Sequence, residues 1–361
     1  MNMKHIFGLA KMLYISIAGL LMVTSCENQD ISFGDYDYQT VYFANQTFVR
    51  TITLGDDTYS TDLDNQHQFE IYATLGGVES NKSDRKIQIT VDNSLVEGLK
   101  FGNIVDYSGT SSFDNTGKAI EAMPSEYYTL SSNVITIPSG QIMGAIQVQL
   151  TDAFFADAKS TDVNYVIPIR MTSATDSILE DKDYVLYAVK FKNKYHGVWL
   201  SHGTDEINLN GVTSTETREP EYVEDYDLRY LTTLGLQKSN YQLSTTVTVD
   251  TTQYNTEKQV WETTQTTKTL TCDLQLTFDD NDACVITTNT AGCTASGSGQ
   301  WTHKGAIQAW GDTDRDLLEL KYTILYTYTE DGHARYKQIT STDNLIMRDR
   351  QSKFQTFTTT E

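Results

Sequence analysis

The sequence predicts an all-β protein. Tyrosine, which is favoured in strands, occurs 22 times, whereas proline occurs only 4 times in the 361 residues. Short segments such as residues 69–75 alternate apolar and polar side chains, a period of two that is typical of strands with one buried face. No long segment repeats apolar residues at helical spacing. We therefore predict an immunoglobulin-like β-sandwich followed by an antiparallel β-sandwich or barrel-like domain.

Residues 1–25 have the organisation of a bacterial lipoprotein signal. Lys4 and Lys11 precede an apolar run that is too short to span a bilayer comfortably, and Thr24 and Ser25 lead directly into Cys26. We expect cleavage before Cys26 and acylation of its sulfur, followed by a tether over residues 26–34. The fatty chains would then be the only membrane contact, and we expect the protein at the outer membrane, on the cell surface.

Residues 35–192 are predicted to form the immunoglobulin-like sandwich. Alternating segments recur along this part of the chain and indicate about seven strands, around residues 41–43, 69–75, 87–91, 134–137, 142–150, 165–171 and 185–191. The cysteines and tryptophan that mark antibody domains are absent from it. The sandwich is therefore predicted from strand number and alternation alone.

A second β domain is predicted over residues 193–350, with residues 351–361 as a tail. Residues 192–203 look like the joint between the domains, because a basic polar stretch ends one series of strands there. Turn-rich segments at 279–282, 289–292 and 297–299 divide the second domain into hairpins. The clearest strand directs these alternate residues inward: Leu318, Leu320, Tyr322, Ile324, Tyr326 and Tyr328.

Net charge and cysteine content limit the kinds of partner, disulfide and metal site that we predict. The formal charge of −21 makes nucleic acid an improbable partner and suits a soluble surface outside the cell. After acylation of Cys26, Cys272, Cys284 and Cys293 remain, and their spacing does not decide which two form a disulfide. No histidine lies at ligand spacing from these cysteines, so we predict no metal site among them.

Four segments carry a resemblance to a known family. They are VTSC at residues 23–26, YQTVYFA at 38–44, EYYTLSSNVITIPSGQ at 126–141 and FKNKYHGVWLSHG at 191–203. In these the chain resembles Bacteroidetes two-domain surface lipoproteins of unknown function that are associated with starch-utilisation-type glycan uptake systems. The first domain is similar to one that precedes some secreted endoglycosidases. The resemblance implies binding or presentation of a polysaccharide or oligosaccharide beside an outer-membrane transporter complex, and it implies no particular site residue.

The sequence predicts neither catalysis nor a cofactor. The glycosidase motif DxxDxDxE, the metalloprotease motif HExxH and the nucleophile elbow GxSxG are all absent. Asp312, Asp314 and Asp316 match the first oxygen ligands of a calcium loop, but Leu317 occupies the position of its glycine. A solvated acidic turn is the preferred interpretation, and calcium is a weaker hypothesis.

Exposed aromatic residues are the better candidates for a binding site. Sugar rings have apolar faces edged by hydroxyls, so a glycan site needs a flat ring with hydrogen-bonding side chains around it. The candidates are Trp310, Trp261, Tyr222, Tyr226 and Tyr230. For Trp310 the competing interpretation is a ring that closes the end of a barrel core, and for the tyrosines it is a packed surface loop.

These observations lead to one preferred function and two others. We expect a non-catalytic surface lipoprotein that binds glycans for a polysaccharide-uptake system through aromatics of the second domain. An adhesin or structural protein could instead recognise a protein partner through exposed strand edges. A glycosidase without a recognisable motif is the third hypothesis.

Overall fold

The computed structural model describes residues 38–106, 108, 111, 112 and 116–361, and strands dominate these residues. The predicted all-β class is confirmed. The signal, Cys26 and the tether lie outside the described residues. No helix in the described part of the chain is long and apolar enough to cross a membrane.

Two sheets pack face to face in the first unit. The smaller sheet has the strand order β12-β1-β3-β10-β8. Its members are β1 (Thr40–Tyr42), β3 (Gln68–Gly76), β8 (Tyr128–Leu130), β10 (Met143–Leu150) and β12 (Ser177–Ile178). The larger sheet has the order β6-β5-β23-β2-β13-β11-β4-β9, with β7 beside β11. Its members are β2 (Thr47–Thr53), β4 (Arg85–Val91), β5 (Lys100–Asp106), β6 (Ser111–Ser112), β7 (Glu121–Ala122), β9 (Val134–Ile137), β11 (Tyr165–Ala174), β13 (Tyr184–Lys192) and β23 (Gln355–Thr360).

The larger sheet is covered on both faces. Its inner face packs against the smaller sheet around Phe69, Ile71 and Ile167, all of which are fully buried. A separate apolar cluster that includes Phe101, Val166 and Phe357 lies on its outer face. The smaller sheet buries its inner face only, and its outer face carries half-exposed polar side chains.

The last strand of the chain belongs to the first unit. β23 pairs antiparallel with β5 and, through Gln355, with Val49 of β2. The prediction that residues 351–361 form a tail is therefore wrong. Phe357 is 2% exposed, and burying this ring gives the C-terminal segment a reason to return to the first unit.

The second unit is a single antiparallel sheet that closes on itself. Its strands are β14 (Gly197–Leu209), β15 (Val212–Arg218), β16 (Asp227–Gly235), β17 (Lys238–Asn255), β18 (Val260–Phe278), β19 (Ala283–Thr288), β20 (Cys293–Trp310), β21 (Thr313–Glu330) and β22 (His333–Asp349). Each strand from β16 to β22 pairs with the next, and β14 closes the circle by pairing with both β16 and β22. This closure makes the predicted barrel-like form.

Apolar side chains fill the barrel, and a polar network crosses it. The six inward residues predicted between Leu318 and Tyr328 are all buried. The carboxylate of Asp343 is 1% exposed and accepts hydrogen bonds from Tyr322, Tyr241 and Arg218.

A disulfide joins Cys272 of β18 to Cys293 of β20, the two strands that flank β19, and Cys284 is a buried free thiol. The structure thus decides the pairing that the spacing left open.

The two units meet around a buried arginine. Arg350 is fully buried, and its guanidinium donates to the Asp316 carboxylate at 2.8 Å and to the Asp56 carbonyl at 2.7 Å. It also donates to the carbonyl oxygens of Lys194 and His196. Because one side chain ties residues of both units together, it helps to fix their relative position.

Short helical turns connect strands in both units, and all but one of them lie in the first unit. The α-helical turns are α1 (Asp62–Asn65) and α2 (Asp152–Ala156). The 3₁₀ turns are Asn93–Val96, Ser125–Tyr127, Ala158–Thr161 and Val223–Asp225.

Candidate functional site

A groove of about 590 Å³ opens beside β2 and β3 in the first unit. This volume lies within the range of about 300–1,000 Å³ that is typical of small-molecule sites. Aromatic and apolar side chains dominate its lining, together with a few polar ones: Phe43, Asn45, Phe48, Arg50, Tyr59, Leu63, Phe69, Glu70, Tyr72, Met143, Val185, Tyr187, Lys353 and Phe354.

The groove exists because the chain changes sheet after β1. β1 pairs with only Thr74, Leu75 and Gly76 of β3, and residues 43–46 then carry the chain across to β2 in the other sheet. Within the described residues, this leaves the 68–73 part of β3 without a strand partner on that side. The gap between this open edge and β2 is the groove.

Aromatic rings form the floor of the groove. The ring of Phe48 lies 5.2 Å from that of Tyr187 and 4.9 Å from that of Phe354. Phe69 lies beneath them, 6.0 Å from Tyr187. Burial raises the pKa of Tyr187 to about 12, so this hydroxyl stays protonated at neutral pH. Since Phe69 and Tyr187 are buried, Phe48 and Phe354 present most of the accessible ring surface.

A buried ion pair supports one wall. Arg50 pairs with Asp64, which is 2% exposed, and donates to the Thr51 carbonyl at 2.7 Å. Its guanidinium lies 6.0 Å from the centre of the Phe69 ring. Burial raises the pKa of Asp64, and the adjacent Arg50 charge opposes that rise. Arg50 thus has its charge compensated inside the wall.

Exposed rings stand at the rim. Tyr72 and Tyr59 are each 43% exposed, and Phe354 is 49% exposed. The Tyr72 hydroxyl donates to the Glu70 carboxylate, a bond that raises the pKa of Tyr72. Rings that remain open to solvent in the free protein can cover a ligand without first leaving the core.

The groove is suited to binding a ligand that combines apolar faces with hydroxyl groups. Its rings supply stacking surface, while Asn45, Glu70 and Lys353 supply hydrogen-bonding groups at the edge. Glu70 is the only carboxylic acid among the lining residues. In the described residues no group of His, Cys, Asp and Glu side chains is arranged to hold a metal ion.

The five predicted binding aromatics do not share one surface. Trp261 is 70% exposed at the tip of the β17–β18 hairpin, where its ring packs edge-on against Tyr254 at 5.3 Å. Phe278, at the other end of the 19-residue β18, stacks on Tyr195 in the joint. At about 3.3 Å per residue, β18 is roughly 60 Å long, so Trp261 lies far from the joint.

Trp310 lies at the other end of the barrel and is half-buried. The guanidinium of Arg348 lies 5.9 Å from the centre of its ring. Side chains along 300–310 do not alternate regularly between the two faces, because the pairing of β20 with β21 shifts register on both sides of Ala306. Trp310 therefore offers only part of its ring to solvent.

The predicted tyrosine loop is only partly packed. Tyr222 and Tyr230 are 59% and 52% exposed, whereas Tyr226 is half-buried with its ring 4.7 Å from that of His202. Burial raises the pKa of Tyr226, and the Glu219 charge adds to the effect. These three residues and the two tryptophans remain predictions as glycan contacts.

The three aspartates of the calcium hypothesis have separate roles. Asp312 is exposed in the turn between β20 and β21, and Asp314 accepts a hydrogen bond from the backbone N–H of Gln308 at 2.9 Å. Asp316 is 4% exposed and pairs with Arg350. The turn precedes Thr313, where β21 begins, so Asp314 and Asp316 lie within a strand rather than in a loop.

Sequence reasoning missed the groove, although one signal pointed to it. In residues 68–76 the alternation places Tyr72 on the polar face, where a large ring is out of pattern. Phe48 gave no such signal, and Phe354 lies in the segment predicted as a tail. The change of sheet after β1 and the return of β23 bring these residues together, and neither leaves a local sequence pattern.

Family models match both units. A model described as an N-terminal domain matches residues 36–178, and the model Domain of unknown function (DUF5627) matches residues 194–351. No curated protein matches the chain.

Solved structures from Bacteroides ovatus are similar to this chain. A protein of unknown function shares 32% identity and a TM-score of 0.74, with 90% of this chain and 99% of that chain covered. Another of unknown function has 12% identity, a TM-score of 0.40, and coverage of 88% and 99%. A third, whose description assigns carbohydrate binding only provisionally, comes from strain ATCC 8483 and has 14% identity, a TM-score of 0.27, and coverage of 87% and 99%. On the first of these similarities, the chain belongs to a two-domain Bacteroides family of unknown function.

Proposed function

We propose that this protein is a non-catalytic surface lipoprotein that binds a glycan in the groove of its first unit. The observation that carries the proposal is a groove of about 590 Å³ with an aromatic floor and three solvent-accessible rings at its rim, Tyr59, Tyr72 and Phe354. Stacking of sugar faces on such rings, with hydrogen bonds at the rim, is the interaction that this lining favours.

The groove is a better candidate than the aromatics of the second unit. Trp261 lies at the far tip of the β17–β18 hairpin, and Trp310 and Tyr226 are half-buried, so the five aromatics do not together line one enclosed site. A ligand in the groove would contact rings from β2, β3 and the 352–354 segment at once. Contact with several rings compensates better for the entropy lost on binding than contact with one.

A binding role also suits the single carboxylate in the groove. Glycoside hydrolysis ordinarily uses two carboxyl groups that flank the scissile bond. Glu70 lines the groove, but Asp64 is buried behind Arg50 and is committed to that ion pair. We therefore expect no release of reducing ends from a polysaccharide that binds.

The cellular setting of the proposal comes from the sequence. We propose that Cys26 carries the lipid, that the protein lies on the outer membrane, and that it works beside a glycan transporter. Metabolic labelling with palmitate should mark the wild-type chain, whereas Cys26→Ser should remain unlabelled and lose membrane association. Wild-type protein that stays unlabelled in the cytosol would contradict this setting.

The binding proposal is tested with the mature chain and a panel of soluble polysaccharides in affinity gels. Tyr72→Ala and Phe354→Ala should each weaken binding about 5- to 10-fold, since one stacked ring contributes roughly 1–1.5 kcal/mol. Trp261→Ala is the matched control, because it removes a ring of greater exposure far from the groove. We expect this control to bind like the wild type.

Two results would oppose the proposal. Loss of binding in Trp261→Ala but not in Tyr72→Ala would move the site to the second unit. Binding of no glycan in the panel would remove the groove's proposed ligand altogether.

A protein partner is the second candidate function, and the open edge of β3 favours it. An extended segment of another protein could pair with residues 68–73 by strand addition. Adhesion or self-association without affinity for any glycan, abolished by Glu70→Pro, which removes a backbone N–H from the open edge, but not by Glu70→Ala, would support this role.

A further inference from the structure

We infer that the groove takes the interior of a neutral, linear glycan chain, which continues from the groove across the outer face of β3 and β10. This inference rests on the proposed function and specifies its ligand. It is carried by the outer face of the smaller sheet, by the connection of that face to the groove, and by the charges around both.

The outer face carries a ladder of amide side chains. In the β3–β10 register, Gln149 lies opposite Gln68 and Gln147 lies opposite Glu70. The Gln68 amide donates to Gln149 at 2.6 Å, and the Gln147 amide donates to Gln68 at 2.7 Å. All three glutamines are half-exposed, and their mutual hydrogen bonds hold donors and acceptors in fixed directions beside the solvent.

The ladder begins where the groove ends. Glu70, Tyr72 and Met143 line the groove and also belong to the outer face, since Tyr72 and Glu70 alternate with the buried Ile71. Tyr72 lies opposite Ala145, a small residue that leaves the ring surface uncovered. A ligand lying on Tyr72 can therefore reach Glu70 and Gln147 on the next rung without crossing a wall.

The path is open at this end, and this decides which part of a glycan fits. A site for a chain end would need a closed wall against the terminal sugar. Here the groove rim at Glu70 and Tyr72 continues directly into a sheet face that is polar and solvent-accessible. An extended chain with hydroxyls along both edges can use the ring platform and the amides together.

The charges select a neutral chain. Arg50 is paired with the buried Asp64, and Lys353 is paired with Asp106 at 3.0 Å. No described cation forms an ion pair with Glu70, whose carboxylate accepts a hydrogen bond from the Tyr72 hydroxyl. The lining thus carries no surplus positive charge within a chain of formal charge −21, so a polyanionic glycan would be repelled.

The first part of the test compares charge classes. Xylan, mannan, mixed-linkage β-glucan and starch are the neutral probes, and polygalacturonate and chondroitin sulfate are the anionic ones, all at 20 mM and 150 mM salt. We expect binding of at least one neutral probe and of neither anionic probe. Binding of an anionic probe alone would overturn the neutral ligand while leaving the groove as a glycan site.

The second part measures chain length with oligosaccharides of the bound polysaccharide. Affinity should rise with length, and the double variant Gln147→Ala and Gln149→Ala should weaken binding of the longest oligosaccharides about 3- to 10-fold. Binding of the shortest oligosaccharide should not change in this variant. Gln88→Ala, an exposed glutamine on β4, is the matched control and should bind like the wild type.

The remaining outcomes are distinct. Equal affinity for short and long oligosaccharides, or a double variant that binds long chains like the wild type, would overturn the continuation across β3 and β10. Failure of every polysaccharide to bind would instead remove the proposed function, and this inference with it.

Discussion

At the scale of single residues, His196 is a half-buried histidine in the joint that remains neutral. Its Nδ1 atom accepts a hydrogen bond from the Thr233 amide at 3.1 Å, and this bond requires an unprotonated nitrogen. Burial lowers the pKa of His196 to about 3, and the nearby charges of Lys192 and Arg350 act in the same direction. The folded protein therefore resists a proton that the unfolded chain accepts near pH 6.5.

We predict that this histidine makes the fold less stable in mild acid. Because folding lowers the pKa of His196, the contribution of neutral His196 to the free energy of unfolding is complete above pH 6.5. It declines as the pH falls toward 3. Between pH 6.5 and 5, wild type should lose up to about 2 kcal/mol more unfolding free energy than His196→Gln, since one proton is worth at most about 1.4 kcal/mol per pH unit. Urea titrations at several pH values measure the difference, and parallel profiles would contradict it.

The sequence pattern shows which side chains of a strand face the core, but not which distant residues they contact. Alternation correctly assigned Phe69, Ile71 and Ala73 to the core, because a strand on a sandwich has only two faces. It could not show that Arg50 pairs with Asp64 or that Arg350 meets Asp316, since those contacts depend on how loops and distant strands converge. For the same reason the sequence pattern points to aromatics of the second unit and not to the groove.

At the scale of elements, β23 completes the larger sheet of the first unit. Its Phe357 is 2% exposed and packs 5.3 Å from Phe101, whereas Phe354, just before the strand, is 49% exposed. The two phenylalanines are three positions apart and differ mainly in burial. They therefore form a matched pair for measuring what the returning strand contributes.

We predict that Phe357→Ala destabilises the protein by about 3–5 kcal/mol, as expected for a buried ring that leaves a cavity. Phe354→Ala should cost less than about 1 kcal/mol, because about half of the Phe354 surface is already in water. Denaturant unfolding followed by intrinsic fluorescence measures both. Equal effects of the two substitutions would show that β23 does not contribute its core residue to the fold.

Strands were predictable where each one buries a face, and less so where a strand extends beyond the core. The inward residues of β21 follow the expected alternation from Leu318 to Tyr328. In β20 the alternation fails after Thr302, because register shifts insert extra residues and Lys304 and Gln308 adopt positive φ. Sequence pattern does not report a bulge, so Trp310 could not be placed correctly from it.

At the scale of the whole molecule, the buried Arg350 side chain couples the two units, because it pairs with Asp316 of the second unit and donates to the Asp56 carbonyl of the first. Removing one partner of a buried pair leaves the other charge uncompensated, which commonly costs about 3–5 kcal/mol. Asp316 would retain only the Lys304 amide at 3.1 Å and the partly exposed ring of His303. The joint should then be the weakest part of the variant.

We predict that wild type unfolds in one calorimetric transition and that Arg350→Met unfolds in two. Adding Asp316→Asn should restore part of the lost stability, because the orphaned charge is removed. Arg335→Met is the control, since Arg335 is 42% exposed, pairs with Glu330 at the surface, and should change stability by less than about 1 kcal/mol. A single unshifted transition in Arg350→Met would contradict the coupling.

The return of β23 also limits how evolution can reuse the first unit. A gene rearrangement that moved only residues 38–192 to another protein would leave an empty strand position between β2 and β5. The recipient would have to supply a replacement strand, or expose Phe101 and its neighbours to water. The first unit is thus not a self-contained module. Its transfer also requires a substitute for β23, which lies more than a hundred residues after residue 192 in the sequence.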